Sequence, residues 1–398
     1  MRQRVLTGAL AGGVALGMLG APNAPAAQAR GHVLAGGDPI SVGLITSKTG
    51  LLAEYGAEYL RGFYAGLSYA TGGTGSVGGH KIQISEYDDA GTPATAVSTA
   101  KGLIGKGYKI IAGSASSGVA LQLASVAAQN RVLFISGPAG ADEISGINKY
   151  TFRSGRQSYQ DVRTASLFLG SAKGQKVTVF AQDSAFGQAN VAAVKGVIGG
   201  QGATVSSVLV PPTSEDFIPF ALRAKQAKPS LLFVAWAGAN AAAMWQALDQ
   251  QGVLKTTKVV TGLANSVTYG TYGSATTKIQ FLSHYFYQAP DNKVNSYLVS
   301  ALKKKGATPD LFDPDGFVAA QMIVRAVQRT GGSDVDAMVK SLEGYSFAAP
   351  KGQETVRASD HALLQPMFQA RLVGTKTLFE PKLIKALSPS QVAPPVKK

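Results

Sequence analysis

Between residues 40 and 136 the chain switches repeatedly between two hydrophobic periods. Four short runs rich in β-branched or aromatic residues, 40–46, 81–88, 108–112 and 132–136, read as strands. Between them apolar positions recur at helical spacing: Leu60, Phe63, Tyr64 and Leu67, then Val97, Ala100 and Ile104, then Val119, Leu123 and Val126. This βαβαβαβ succession predicts a parallel sheet with helices on its faces. The pattern then restarts, with strands over 175–181, 203–210, 230–236 and 257–261 and helices near 185–199, 216–227 and 239–252. A polar segment, 150–159, joins the halves. An extended run over 278–287 and helical patterns at 291–305 and 314–330 follow, and the proline-rich end, 388–398, predicts no fixed structure. The expected fold class is α/β, as two similar lobes.

Composition narrows this further. At 398 residues the chain exceeds the usual reach of one hydrophobic core, so two domains are expected. Apolar residues at 45% and charged residues at 15% exclude disorder for the bulk of the chain. There is no cysteine, which excludes disulfides, thiolate chemistry, Cys-ligated metals and a lipoprotein anchor. Residues 1–29 read as a signal peptide: Arg2 and Arg4, an apolar core over 5–19 too short to span a bilayer, and an A-x-A site at Ala27-Gln28-Ala29. The net charge of +15 raises nucleic acid as a partner. An exported chain meets little of it, so the surplus is read as solvated Lys and Arg and no nucleic-acid partner is expected.

Enzyme chemistry finds little support. The four histidines, His32, His80, His284 and His361, lack metal-ligand spacing, and His32 lies next to the leader. No G-x-S-x-G elbow and no Walker A sequence occurs. The run from Gly73 to Gly78 matches G-x-G-x-x-G but follows a helix and precedes a strand, the reverse of a dinucleotide fingerprint, and reads as a turn. No catalytic residue, metal or cofactor is expected.

A binding constellation remains. In open α/β sheets ligands sit beyond the carboxyl ends of the strands, at helix N-termini. Strand 108–112 runs through Gly113 into a helix for which Ser116 or Ser117 serves as cap, leaving amides and a partial positive charge suited to a carboxylate. Simple capping is the plainer alternative for these serines. The next strand opens into 137–142, where glycines allow close backbone approach and Pro138 offers only its carbonyl.

Several ordered motifs extend this reading. They are Ser47-Lys48-Thr49-Gly50 with Glu54-Tyr55-Gly56, Tyr87-Asp88-Asp89-Ala90, Ser116-Ser117, Ile135-Ser136-Gly137-Pro138-Ala139, Tyr150-Thr151-Phe152-Arg153, Asp183 with Phe186-Gly187, Asp216-Phe217, the run 357–361 and Gln365-Pro366-Met367. Together, from Ile40 to about Gly374, the chain resembles the type I periplasmic solute-binding proteins of the leucine/isoleucine/valine-binding branch. The resemblance implies two Rossmann-like lobes joined by three crossovers, which close on a small solute and deliver it, as a monomer, to an ABC permease. Lobe 1 would be 40–153 plus 285–345, lobe 2 154–284 plus 346–385, and 386–398 a tail. Hinges would fall at 152–156, 284–286 and 346–350.

Carried over residue by residue, Ser117 (beside Ser116) falls where the family grips a ligand carboxylate. Gly140 stands where leucine-type members have a threonine, next to Ala139, and Pro138 where a carbonyl accepts from a ligand ammonium. Tyr55, Phe186 and Trp236 stand as aromatic walls. The family's disulfide positions hold Gly91 and Ser116, and the glutamate that pairs with the ammonium is missing from Gly262-Leu263-Ala264-Asn265. A small organic carboxylate or amino-acid derivative is therefore expected, with leucine, isoleucine or valine as the alternative. A secreted sensor acting on a membrane partner and a secreted α/β enzyme are the other readings left open.

Overall fold

A computed structural model describes residues 37–375 and 378–397; the expected leader, its cleavage site and His32 lie outside these. The described residues form one compact unit. Its strands, in chain order, are β1 (Gly37–Thr46), β2 (Ser76–Val77), β3 (His80–Asp88), β4 (Ile110–Gly113), β5 (Leu133–Ser136), β6 (Thr151–Arg153), β7 (Lys176–Gln182), β8 (Thr204–Val210), β9 (Leu231–Ala235), β10 (Lys258–Gly262), β11 (Gln280–Ser283), β12 (Ser346–Ala349), β13 (Gly352–Val356), β14 (Leu363–Leu364), β15 (Met367–Thr375) and β16 (Leu378–Leu387). They make a six-stranded sheet β2-β3-β1-β4-β5-β6, a seven-stranded sheet β16-β15-β11-β10-β9-β7-β8 and a small sheet β12-β13-β14. All pairs from β3 to β6 and from β7 to β11 are parallel, which gives the expected α/β class; β2, β15 and β16 pair antiparallel at the edges.

Each large sheet is covered on both faces, so its central strands are apolar throughout: β4, β5 and β9 are buried at every residue. On one face of the first sheet lie helices Ala53–Ala70, Asp313–Thr330 and Val335–Leu342; on the other, Pro93–Gly105 and Ser117–Asn130. Helices Ala53–Ala70 and Asp313–Thr330 cross at backbone distance. A Cβ on Gly62 would stand 1.8 Å from the Asp313 carbonyl oxygen, and one on Gly316 1.9 Å from that of Tyr59. Glycine is required there by contact. The Gly73–Gly78 run is the turn into β2, with Gly73, Gly75 and Gly78 at positive φ.

Each large sheet has one point where strand order reverses. In the first, β1 leads to β3 on one side and then to β4 on the other; in the second, β7 leads to β8 and then to β9. Such reversals splay the following loops apart and open a crevice at the carboxyl ends.

Three expectations need correcting. Residues 346–364 do not join the second lobe: the β12–β14 meander buries Phe347, Ala349, Val356 and Leu363 in the first core, against Met322 and Ile323. Consequently the third passage between the large sheets lies at Gln365 and Pro366 rather than at 346–350, the others following β6 and β11. The described tail, residues 388–397, is built into the fold. Helix Pro389–Val392 buries Val392 against Met367 and Leu387, and Arg357 donates to the carbonyls of Pro394 (2.6 Å) and Pro395 (3.1 Å). Proline lacks a donor, yet its carbonyl accepts as well as any other. Of the extended run 278–287, only Gln280–Ser283 is strand.

Candidate functional site

The two strand-order reversals face each other across a cleft of about 450 Å³. Its first-lobe wall comes from the loops after β1 (50–52 and Tyr55), β3 (Ala90, Gly91), β4 (115–118) and β5 (Pro138, Gly140). Its second-lobe wall comes from Gln182 and 184–186 after β7, Pro212 after β8 and Ala237 after β9; Arg156 and Phe312 complete it.

The first-lobe loops are braced by two acids of the Tyr87-Asp88-Asp89-Ala90 motif. Asp89, fully buried, accepts from Ser47 Oγ (2.7 Å), from Ser114 Oγ and from the Gly91 amide (2.7 Å), tying together the loops after β1, β3 and β4. Asp88 accepts from the Lys48 amide (2.8 Å) and Thr49 Oγ1 (2.6 Å). These bonds fix where helix Ser117–Asn130 begins. Ser116 is its cap, taking the Val119 amide at 3.5 Å, while the Ser117 and Gly118 amides donate to no described residue. Ser117 Oγ accepts from the Ala141 amide at 3.1 Å, so its own proton is left to donate. The Gly140 amide also has no described partner.

Of the residues singled out from sequence, Tyr55, Ser116, Ser117, Pro138, Gly140 and Phe186 line this cleft. Trp236 does not. Its indole packs on Phe180 and Phe217, with centroids at 5.8 and 5.5 Å, and donates to Asn240 (2.9 Å), and it borders a smaller inner chamber. Ala139 lines neither. Its side chain is buried in the first-lobe core, its amide donates to Ser114 and its carbonyl accepts from Arg153 at 2.7 Å, so it offers nothing to a ligand.

The Pro138 carbonyl, expected to face a ligand ammonium, already accepts from Arg156 Nη1 at 2.7 Å, which sets a guanidinium beside its remaining lone pair. Sequence reading did not single out Arg156. Its guanidinium is 8% exposed, lies 5.6 Å from the ring centroids of both Phe186 and Phe312, and faces Asp161 at 3.3 Å. Burial pushes the Asp161 carboxyl up to about 6, with Arg156 pulling it the other way. The bare Gly140 is explained by the same group. A Cβ there would stand 2.9 Å from the Phe186 ring and 3.0 Å from Arg156 Nη1, so the space a threonine would use is filled.

Across the cleft the lobes touch. Tyr55 Oη accepts from the Gly238 amide at 3.2 Å, the Ala239 amide donates to the Leu51 carbonyl at 3.0 Å and the Ser266 amide to Asp310 at 2.8 Å. Burial raises the Tyr55 phenol above its ordinary value, so it keeps its proton. The stretch Gly262–Asn265, which lacks an acid of its own, meets one from the first lobe: Asn265 donates to Glu58, itself fully buried. Among the described residues no cluster of three metal-ligating side chains occurs.

One wall of the cleft thus presents donors only: Ser117 Oγ, three backbone amides and a guanidinium, grouped around residues 138–141. Aromatic rings flank this group: Tyr55 and Phe312 from the first lobe and Phe186 from the second. Such an arrangement suits an acceptor-bearing ligand with a flat apolar body.

Comparison with known proteins agrees with this architecture. A chain from Rhodopseudomonas palustris CGA009, described as an ABC-type branched-chain amino acid transporter, is 31% identical, with a TM-score of 0.74 over 90% of this chain and 99% of that one. A Leu/Ile/Val-binding protein homolog 3 from Brucella melitensis is 25% identical over 303 residues, 75% of this chain and 82% of its own. An ABC transporter solute-binding protein from Rhodopseudomonas palustris BisB5, solved with 3,4-dihydroxybenzoic acid, shares the fold at a TM-score of 0.78 and 23% identity, covering 88% of this chain and 97% of that one. The profile of the family described as periplasmic binding protein matches residues 39–377. The chain belongs to the periplasmic binding protein family, the extracytoplasmic solute receptors of ABC importers.

Proposed function

We propose that this receptor binds a small aromatic carboxylate and delivers it to an ABC permease. The observation that carries the reading is the Arg156–Pro138 hydrogen bond: a fixed cation occupies the carbonyl that would otherwise receive a ligand ammonium. A second positive charge beside it would be unpaired and costly to bury, whereas a carboxylate there is paired. Phe186, Phe312 and Tyr55 supply flat surfaces for a ring, Tyr55 and Phe312 standing 4.6 Å apart at the centroids. The ligand of the BisB5 relative, an aromatic acid, fits the same chemistry. Every wall comes from one chain, so a monomer suffices. Export, with cleavage after Ala29, rests on the N-terminal sequence.

Isothermal titration of the purified protein with benzoate, valine and leucine tests this. Benzoate should bind and the amino acids should bind far more weakly. At a hundred times its dissociation constant a true ligand adds about 2.7 kcal/mol of stability, an easily read melting shift. Tight valine binding with silence toward benzoate would refute the proposal.

A further inference from the structure

Behind the main cleft lies a second chamber of about 70 Å³. Tyr55, Arg156, Phe186, Ala237 and Phe312 line both spaces, so these five residues form the waist of one bipartite cavity. The sizes differ in a telling way. A cavity of about 150 Å³ accepts a benzene ring, while a water-sized group needs about 10–15 Å³ of such space. The main cleft therefore takes the ring, and the chamber takes one substituent on it.

The chamber's walls are mostly apolar, Trp236 and Leu311 among them; beyond the waist residues Tyr55 and Arg156, its polar side chains are Asn190, Asp161 and His284. His284 Nε2 and Asp161 Oδ1 are buried without any hydrogen-bond partner, in residues that are 5% and 4% exposed. Native interiors leave few such atoms, and each is costly. His284 is held on one side by its stack on Phe312, at 4.8 Å between centroids. Burial, together with Arg156 and Lys351, lowers its pKa well below the usual value, so the ring is neutral and Nε2 is either one donor or one lone pair. A hydroxyl both donates and accepts: where Nε2 carries the proton it accepts from the imidazole and donates to Asp161 Oδ1, and where Nε2 is bare it gives its one proton to the imidazole.

We infer that the inner chamber is a hydroxyl subsite: the aromatic acid bound here carries a ring hydroxyl that enters beside His284 and Asp161. This rests on the carboxylate reading above and adds to it a discriminating end.

The test is a set of titrations on the purified protein with benzoate, 3-hydroxybenzoate, 4-hydroxybenzoate and 4-methylbenzoate. One hydroxy isomer should bind about tenfold or more tighter than benzoate, and 4-methylbenzoate no tighter than benzoate. His284→Phe, which keeps a ring on Phe312 but removes the nitrogen, should shrink the hydroxyl preference to about threefold or less, and His284→Gln should restore part of it. Equal binding of the hydroxy and parent acids, tighter binding of the methyl acid, or a preference that survives in His284→Phe would overturn the subsite while leaving the carboxylate reading standing. Silence toward all four acids would overturn both. Should His284→Phe fail to fold, the wild-type comparison of methyl with hydroxyl still decides.

Discussion

Arg156→Gln is the sharpest perturbation of the binding site. The wild-type guanidinium bonds the Pro138 carbonyl, pairs with Asp161 and lies against the rings of Phe186 and Phe312. A ligand carboxylate meeting it gains charge-assisted hydrogen bonds worth about 1.5–3 kcal/mol each, and cutting a buried charge pair costs about 2–5 kcal/mol. Glutamine keeps a neutral amide donor but no charge, so a loss of about 2–4 kcal/mol is expected, which is roughly 30- to 1,000-fold in the benzoate dissociation constant. Benzamide, the uncharged analogue, should change by no more than about threefold, because it makes no ionic contact. The ligand-free variant has its own signature. Without Arg156 the Asp161 carboxyl, already pushed up to about 6, rises further. A carboxyl whose folded pKa is raised loses stability as pH climbs from its unfolded value near 3.8 to the folded one, and the whole penalty is present above that, so a further rise in the folded pKa adds its cost at higher pH. The melting temperature should therefore fall more at pH 8 than at pH 5. Calorimetric titration with both probes and melting curves at the two pH values settle the matter. Benzoate affinity within about threefold of wild type would refute the guanidinium's role.

Ser117→Ala should weaken benzoate binding by about 1–2 kcal/mol, since the hydroxyl that accepts from Ala141 is free to donate into the cleft; unchanged affinity would leave the contact to the backbone amides alone. Glu354 is fully buried, neither carboxylate oxygen has a hydrogen bond, Lys351 Nζ is 3.9 Å away and Asp315 adds repulsion, so burial raises its pKa to about 7. Its ionisation destabilises the fold as pH rises from about 4.5 through 7, by up to about 3 kcal/mol at pH 8. Glu354→Gln should flatten that decline in melting curves, and an equally steep decline in the variant would count against it. Gly316→Ala forces a methyl against the Tyr59 carbonyl and should lower stability to denaturant by about 3 kcal/mol or more, against about 1 kcal/mol of stabilisation were the helix exposed.

What could be read from the sequence and what could not divide along a physical line. Alternating periods locate β1, β3 to β5 and β7 to β10 with most of the helices between them, because those elements bury one face locally, and the strand-to-loop junctions then mark the cleft; β2, β6 and helix Ser158–Ser166 are too short or too polar to show. Ser117 and the loop after β5 follow from that rule, while Tyr55 and Phe186 come only through the family resemblance. Arg156 follows from neither. It sits in a polar crossover where nothing local distinguishes it from Arg153, and only the fold decides that Arg153 takes the Ala139 and Ala141 carbonyls and Arg156 that of Pro138. The available signal was indirect: an acid missing at 262–265 and an arginine close to the expected hinge. Phe312 comes from a loop far along the chain, and the pairing of Asn265 with Glu58 spans both lobes. The meander 346–364 alternates clearly, but alternation says which face is apolar, not which core receives it.

The chain end has a kinematic meaning. Two bodies joined by one flexible strand can twist, slide and tilt; each further tie removes some of that freedom. Three passages already link the large sheets, and the segment after β16 adds a fourth tie. It leaves the second sheet, buries Val392 beside Met367, hands the carbonyls of Pro394 and Pro395 to Arg357, and ends with the Lys397 amide on Asp360 and its ammonium on the Asp142 carbonyl, beside the first lobe. A joint so strapped is left with little besides rotation about its own line. The lobes then meet in one registry whatever solute lies between them, and a transporter docking across both would be presented with a single geometry to read.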